Sequence, residues 1–163
     1  MQDFVHLHVH THYSLLDGQA SVSRLVDKAM KDGMKGIAVT DHGNMFGIKE
    51  FINYVNKKNK EVAPEERFKP IIGCEMYVAR RGKDKREGKQ DLGGWHLIVL
   101  AKNEKGYHNL IKLVSRAWTE GYYMHPRTDR QDLEKYHEGL IVCSACIGGE
   151  VPKKILNGQM EDA

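Results

Sequence analysis

The sequence lacks several features that would assign it to common classes of protein. It holds only three cysteines, an odd number too small for a disulfide framework, so a reducing cytoplasm is the expected location. No apolar run approaches the roughly 20 residues of a membrane span. The segment from Met1 to Phe4 lacks the basic start and apolar core of a signal peptide. No membrane partner is therefore expected.

The motifs of several enzyme classes are also missing. The sequence has no G-x-S-x-G nucleophile elbow, no phosphate-binding Walker loop and no G-x-G-x-x-G dinucleotide motif. Its net charge of +3, with histidine neutral, is too small to establish a nucleic-acid partner. A chain of 163 residues has room for one domain with a sizeable core.

The hydrophobic pattern predicts strands that alternate with helices. The five predicted strands cover residues 4–9, 36–40, 71–78, 96–101 and 140–144. Helices are predicted after a cap at Ser21, after a cap at Asn44, around Tyr107 and around Asp132. Such alternation favours parallel pairs with right-handed crossovers. Two α/β architectures stay open, an open doubly wound sheet and a βα barrel, which normally has about eight strands.

Histidine is what the sequence has in excess, with nine residues in all. On a strand, His6, His8 and His10 share one face, because successive side chains alternate in direction. Imidazole nitrogens bind divalent transition metals well. A polar strand face with satisfied histidines is the simpler alternative, but three alternating histidines at the start of an α/β chain favour a metal site.

Further candidate ligands recur near the ends of the predicted strands. Asp17 lies in the loop after the first strand, and His42 follows the second, where α/β folds place their sites. Glu75 interrupts an apolar strand, where a carboxylate is costly unless it is paired, metal-bound or at a solvent-facing edge. His96 opens the fourth strand, and Cys146 follows the fifth. In a barrel, these strand ends would converge on one mouth.

Two other stretches have the composition of a nucleic-acid surface. Residues 80–94 contain a basic run that could contact phosphates, although a solvated loop explains it better. Tyr122, Tyr123, His125 and Arg127 mix aromatic and basic groups, which suits nucleic acid and an ordinary loop equally well.

The chain resembles the PHP family, named for polymerase and histidinol phosphatase. The opening motifs of that family are matched by His-Leu-His-Val-His-Thr at 6–11, Ser-Leu-Leu-Asp-Gly at 14–18, Thr-Asp-His-Gly-Asn at 40–44 and Gly-Cys-Glu at 73–75. More narrowly, segments at 69–73, 100–107, 126–127 and 139–146 resemble the PHP domains of bacterial DNA polymerase III alpha subunits. The resemblance runs from about Phe4 to Leu156.

This resemblance implies a distorted βα barrel of about seven units, with up to three divalent metals, zinc or manganese, at its mouth. Carried over by motif, the metal ligands are His8, His10, Asp17, His42, Glu75, His96 and Cys146. Among them, Asp17, His42 and Glu75 are expected to take part in catalysis. His6 matches no ligand, and Asp41 is expected to orient its neighbours.

The family pattern ends with an Asp-x-His pair on a late strand, which this sequence does not contain. Residues 1–163 are therefore expected to be the N-terminal part of a PHP domain, truncated to about five strands. The palm, fingers and thumb that polymerise DNA, with their magnesium site, are expected to be absent. Such a fragment is expected to be inactive alone.

The resemblance implies a parent protein that is a replicative DNA-directed DNA polymerase. That protein would act on a DNA primer-template with other replicase subunits, such as a proofreading exonuclease subunit and a sliding clamp. For this domain it implies 3′ to 5′ hydrolysis of phosphodiesters by metal-activated water. Two alternatives stay open: a non-catalytic platform for a proofreading exonuclease subunit, and a stand-alone PHP phosphoesterase. An amidohydrolase also begins with H-x-H, but the other motifs do not fit one.

Overall fold

The computed structural model describes residues 4–163 of the chain. These residues form a five-stranded sheet with helices packed against it. The strands are β1 (Gly36–Val39), β2 (Lys69–Val78), β3 (Trp95–Ala101), β4 (Arg127–Thr128) and β5 (Leu140–Cys143). The α-helices are α1 (Val22–Lys31), α2 (Ile48–Asn59), α3 (Glu104–Thr119), α4 (Arg130–Tyr136) and α5 (Glu150–Leu156). Short 3₁₀ turns cover Pro64–Glu66 and Gly88–Gln90.

Strand β2 is the centre of the sheet, whose order is β1-β2-β3-β5, with β4 also paired to β2. Strands β1 and β4 run parallel to β2, whereas β3 is antiparallel to both β2 and β5. The prediction of purely parallel pairs is therefore wrong for β3. The chain returns from β2 to β3 through a loop without an α-helix, and such a return gives an antiparallel pair.

The predicted first strand, residues 4–9, is an extended segment beside β1 and not a strand of the sheet. The backbone N–H of Ala38 donates to the oxygen of His6, and that of Thr40 donates to the oxygen of Val9, both at 2.9 Å. The hydroxyl of Thr40 also accepts a hydrogen bond from the N–H of Val9 at 2.8 Å. The Thr40 side chain thus replaces one backbone hydrogen bond of a regular β-ladder, and residues 4–9 still run along β1.

Helix α1 begins as predicted, with the Ser21 hydroxyl accepting a hydrogen bond from the N–H of Arg24. Helix α2 begins at Ile48, later than the predicted cap at Asn44. The Asn44 amide instead holds the preceding turn, because it donates to the backbone oxygens of His42 and Tyr13. Asn44 therefore stabilises a turn, and the prediction that it caps α2 is wrong.

Two apolar clusters fix the helices on the sheet. In the first, Val26 of α1 and Phe51 of α2 pack with β1. In the second, Leu110 and Leu113 of α3 pack with Val99 of β3. The first cluster matches the predicted helical spacing, whereas in α3 the predicted core residues Ile111 and Trp118 are 36% and 41% exposed and Leu113 is buried instead. Both clusters leave the polar residues of the strands free to form a site.

The basic loop before β3 is mostly exposed, as expected of a solvated loop, and it is anchored by a buried arginine. The side chain of Arg127 is 1% exposed. It donates to the backbone oxygens of Gly121, Asp91, Lys83 and Lys85. Arg127 therefore stabilises the fold, and it is not available to the nucleic-acid surface considered from the sequence.

No helix among the described residues is both long enough and apolar enough to cross a membrane.

Candidate metal centre

The carboxylate of Glu75 lies at the centre of a group of imidazoles. Glu75 is 1% exposed and sits in the central strand β2, so a solvent-facing edge position is excluded. Its Oε1 atom lies 3.1 Å from Nε2 of His8 and 3.0 Å from Nδ1 of His96. Its Oε2 atom lies 3.8 Å from Nε2 of His10 and in close contact with Nδ1 of His42. Four imidazoles thus surround one buried carboxylate.

Two further predicted ligands complete the cluster at its edges. Oδ2 of Asp17 lies 2.9 Å from Nε2 of His42, whose ring stacks on that of His10 with centroids 4.1 Å apart. On the other side, Sγ of Cys146 lies 3.5 Å from Nδ1 of His96. The structure therefore brings all seven predicted ligands together.

These residues form three donor groups, each with one donor atom per residue within 4.8 Å of the others. The first group is His8, His10 and Glu75, the second is His10, Asp17 and His42, and the third is Glu75, His96 and Cys146. His10 is shared by the first two groups, and Glu75 is shared by the first and third. The groups are therefore adjacent parts of one site.

The distances suit divalent metals. Nitrogen, oxygen and sulfur ligands at about 2.0–2.3 Å from a tetrahedral zinc lie about 3.3–3.8 Å apart. In the third group, Sγ of Cys146 lies 3.5 Å from His96 Nδ1 and 3.8 Å from Glu75 Oε1. The donors fit an ion after movements of a few tenths of an ångström.

Two buried atoms also lack the partner that an ion would supply. Nδ1 of His42 and Oε2 of Glu75 are buried and make no hydrogen bond, although they are in close contact. Nε2 of His42 lies 2.9 Å from the Asp17 carboxylate, so it is the nitrogen placed to carry the hydrogen. Nδ1 then presents a lone pair to a carboxylate oxygen, an arrangement that a cation stabilises.

The electrostatics of the cluster keep Glu75 and His10 in the forms that bind metal. Burial raises the pKa of Glu75, but contacts with His42 and His96 outweigh it, so the pKa lies well below its usual range. Burial, together with the charge of His42, lowers the pKa of His10. The Glu75 carboxylate raises the pKa of His42, which favours the protonated imidazole, so a metal at this position would have to displace that proton. An ionised Glu75 and a neutral His10 are the states a cation requires.

Glycines allow the loop after β5 to close over His96. The N–H of His96 donates to the oxygen of Gly148 at 3.0 Å, and the N–H of Gly149 donates to the oxygen of Cys146 at 2.8 Å. A Cβ on Gly148 would lie 3.0 Å from Nδ1 of His96. The absence of a side chain at Gly148 thus lets Cys146 reach the imidazole.

Sequence reasoning missed Tyr77, which belongs to the site. Its ring centroid lies 5.2 Å from that of His96 and 4.6 Å from that of His125. Burial raises the pKa of Tyr77 to about 12, so it stays a neutral phenol. Strand alternation was the available signal, because Tyr77 is two residues after Glu75 and shares its face.

His6 lies outside the three donor groups. Its imidazole meets the ring of Phe4 edge-on at 4.7 Å, and with His8 it lines a cavity of about 380 Å³ beside the cluster. The sequence prediction that His6 is not a ligand agrees with this placement. The prediction that His6, His8 and His10 share one strand face is not confirmed, because this segment is not a regular strand.

Residues 6–163 match the family model described as PHP domain. The chain belongs to the PHP family. It is 51% identical over 162 residues to DNA polymerase III subunit alpha of Borreliella burgdorferi, covering 98% of this chain and 13% of that protein. The same-named protein of Treponema pallidum is 47% identical over 161 residues, with coverage of 98% and 13%. That of Thermus aquaticus is 44% identical over 162 residues, with coverage of 97% and 13%.

The predicted resemblance to PHP domains of DNA polymerase III alpha subunits is thus confirmed, and the chain spans about 13% of the length of these relatives. The fold class is confirmed as well: an α/β fold of the distorted βα-barrel type, with five strands in the described residues. A solved protein from Bifidobacterium adolescentis, assigned as a metal-dependent phosphoesterase, is 18% identical. Its TM-score is 0.46 over 69% of this chain and 32% of that one, a partial likeness of shape.

Proposed function

We propose that this chain is the N-terminal part of the PHP domain of a replicative DNA-directed DNA polymerase of the DNA polymerase III alpha type. In the intact protein it binds divalent metals and hydrolyses phosphodiester bonds in the 3′ to 5′ direction. The observation that carries this proposal is the set of three overlapping donor groups around the buried Glu75. The DNA primer-template, the cytoplasmic location and the polymerising activity with its magnesium belong to the same proposal.

The donor chemistry limits the metals. Imidazole nitrogens with the Cys146 thiol suit zinc, and the carboxylates of Asp17 and Glu75 also suit manganese. Up to three ions, one for each donor group, are proposed. Such ions, when bound, would supply an acidified water and neutralise charge on phosphate oxygens.

The protein's own groups have separate roles in this proposal. Glu75 links the first and third donor groups, because its Oε1 atom lies close to both His8 and His96 and its Oε2 atom faces His10. Asp17 has a side chain that is 62% exposed, so it can accept a proton from a water molecule that enters the site. His42 lies between Asp17 and Glu75 and keeps both carboxylates oriented.

The openness of the site favours catalysis over a purely structural role. A structural zinc site is closed by four cysteine or histidine ligands. Here two of the seven candidate ligands are carboxylates, and the Asp17 side chain is in contact with solvent.

A non-catalytic interaction platform is the second candidate function. Phe46, Trp118 and Tyr122 are 60%, 41% and 48% exposed, and their ring centroids lie 6.0 Å and 5.6 Å apart in a row. Exposed aromatic rings are typical of protein interfaces. This surface would suit another replicase subunit, such as a proofreading exonuclease subunit, with the sliding clamp joined through the intact protein. A stand-alone phosphoesterase fits less well, because the relatives quoted are far longer polymerase subunits.

The deciding experiment is Asp17→Asn in the full-length protein whose polymerase site has been inactivated. We expect the exonuclease rate to fall about 100-fold or more, with the melting temperature and the polymerase activity of the parallel active version unchanged. Metal content is measured on the same samples. Asp84→Asn, which neutralises an exposed carboxylate away from the site, is the matched control.

If the wild-type protein shows no metal-dependent exonuclease activity, the platform is the better assignment. The same holds if Asp17→Asn removes the activity only by unfolding the domain.

A further inference from the structure

We propose that Ser14 is a positioning residue that determines which ring nitrogen of His10 is free to bind a metal. The metal-binding part of this inference rests on the proposed function. The hydrogen-bond part does not, since it concerns the protein without metal.

Ser14 is surrounded by three polar groups in a fully buried position. Its side chain is 0% exposed. The Oγ atom lies 2.7 Å from Oδ1 of Asp41, 2.9 Å from Nδ1 of His10 and 3.1 Å from the backbone nitrogen of His42. Three contacts use the full capacity of a hydroxyl, which has one hydrogen and two lone pairs.

The direction of each contact follows from its partner. The backbone N–H of His42 can only donate, so it occupies one lone pair of Ser14. Asp41 already accepts the N–H of Thr11 at 2.7 Å and its hydroxyl at 2.9 Å, as a carboxylate does. The single hydrogen of Ser14 therefore goes to Asp41. The remaining lone pair must accept the hydrogen on Nδ1 of His10.

This arrangement leaves Nε2 of His10 as the bare nitrogen. Nε2 is the atom that lies 3.8 Å from Oε2 of Glu75 and 3.0 Å from Nε2 of His8, inside the first donor group. Without the acceptor on Ser14, the ring of His10 is free to turn or to carry its hydrogen on Nε2, which blocks that nitrogen as a ligand. Partners of this kind typically change metal affinity by about 10- to 100-fold.

The test is Ser14→Ala in the full-length protein, titrated with Co²⁺ in place of the native metal. We expect about a 10- to 100-fold loss of affinity at the first and second donor groups, which share His10. The third group, read by the thiolate-to-cobalt absorption of Cys146, is expected to keep its affinity. Thr11→Val is the matched control, because the Thr11 side chain is equally buried and also bonds Asp41, whereas the imidazole of His10 bonds Ser14 and not Thr11.

An equal loss at all three groups, or the same loss in Thr11→Val, would overturn the proposal and leave Ser14 with a role in folding alone. A second measurement separates this inference from the proposed function. In metal-free protein with ¹⁵N-labelled histidine, assigned through His10→Gln, the hydrogen of His10 is expected on Nδ1. A hydrogen on Nε2 overturns the inference, whereas absence of Co²⁺ binding to the wild type overturns only the proposed function.

Discussion

The thiol sulfur of Cys146 lies 3.5 Å from Nδ1 of His96, although the two residues are 50 positions apart in the chain. The contact forms because the loop after β5 folds back over the start of β3. Cys74 offers no comparable donor, since burial raises the pKa of its thiol far above the usual range. Cys146 is therefore the thiol that the fold presents to the cluster.

Replacing this thiol tests the third donor group. Cys146→Ser is expected to abolish the thiolate-to-cobalt absorption and to lower metal affinity at that group by about 10-fold or more, because the hydroxyl stays protonated and binds metal poorly. Cys143→Ser, three residues earlier and outside the donor groups, should retain the absorption band. A band that survives in Cys146→Ser would place the metal elsewhere.

The turn after His42 depends on a glycine for two reasons that can be separated. Gly43 has φ of 59°, and a Cβ there would lie 2.6 Å from Cγ of Pro126. Gly88 has φ of 68°, but a Cβ there would have nothing within 4 Å. We expect Gly88→Ala to lower the free energy of unfolding by about 1 kcal/mol, from backbone conformation alone.

Gly43→Ala is expected to cost more, about 2–4 kcal/mol, since the collision with Pro126 adds to the same backbone term. Urea unfolding of both variants measures the difference. Equal losses would show that the loop carrying Pro126 moves aside without cost.

The basic loop contains the carboxylate of Asp91, whose ionisation should make the stability of the fold depend on pH. A hydrogen bond from Arg81 lowers the pKa of Asp91 to about 2. A group with a lowered pKa stabilises the folded state above its unfolded pKa of about 3.9, and this contribution is lost as the pH falls through about 2. The wild type should therefore lose more stability between about pH 4 and pH 2 than Asp91→Asn does.

Thermal unfolding across that pH range provides the measurement, and Asp84→Asn in the same loop provides a control for a simple change of net charge. Identical acid profiles for the wild type and Asp91→Asn would exclude the ion pair as a source of stability.

Arg127 should matter more to the fold than any surface arginine. Arg127→Leu leaves four backbone oxygens without their donor in a buried position, and we expect a loss of about 3 kcal/mol or more. Proteolysis of residues 80–94 should accelerate in parallel. Arg130→Leu, which removes an arginine that is 73% exposed, should change unfolding by about 0.5 kcal/mol or less. Comparable losses would contradict the structural role of Arg127.

The sequence predicted helices α1 to α4 and strands β1, β2, β3 and β5 because their apolar spacing is strong, but it missed the short elements β4 and α5. Val26 and Phe51, for example, lie in the core at the positions that helical periodicity gave them. It failed at the N-terminal segment, because period-two alternation of Val9 and its neighbours does not reveal that the Thr40 hydroxyl takes a ladder contact. Strand direction around β3 was also wrong, since antiparallel return depends on a loop and not on hydrophobic pattern.

For the candidate site, the residue types in the sequence were informative, but the sequence did not predict the contacts between them. Glu75 stood out because a carboxylate in an apolar strand needs a partner, and the structure supplies four imidazoles. No sequence pattern indicated a role for Ser14, because its role depends on hydrogen bonds to His10 and Asp41 that form only in the folded chain. Whether the seven residues bind metal stays a prediction.

The spacing of the donors along the chain has a consequence for how the domain is made. Among residues 4–163 the first donor is His8 and the last is Cys146, and each of the three groups joins residues from separate segments. An unfolded chain would have to close long loops to hold an ion, so it would bind metal weakly. During synthesis, the third group cannot exist until Cys146 has left the ribosome. Metal binding at this group is therefore expected late in folding, and it would stabilise only chains whose distant donor segments are already in contact.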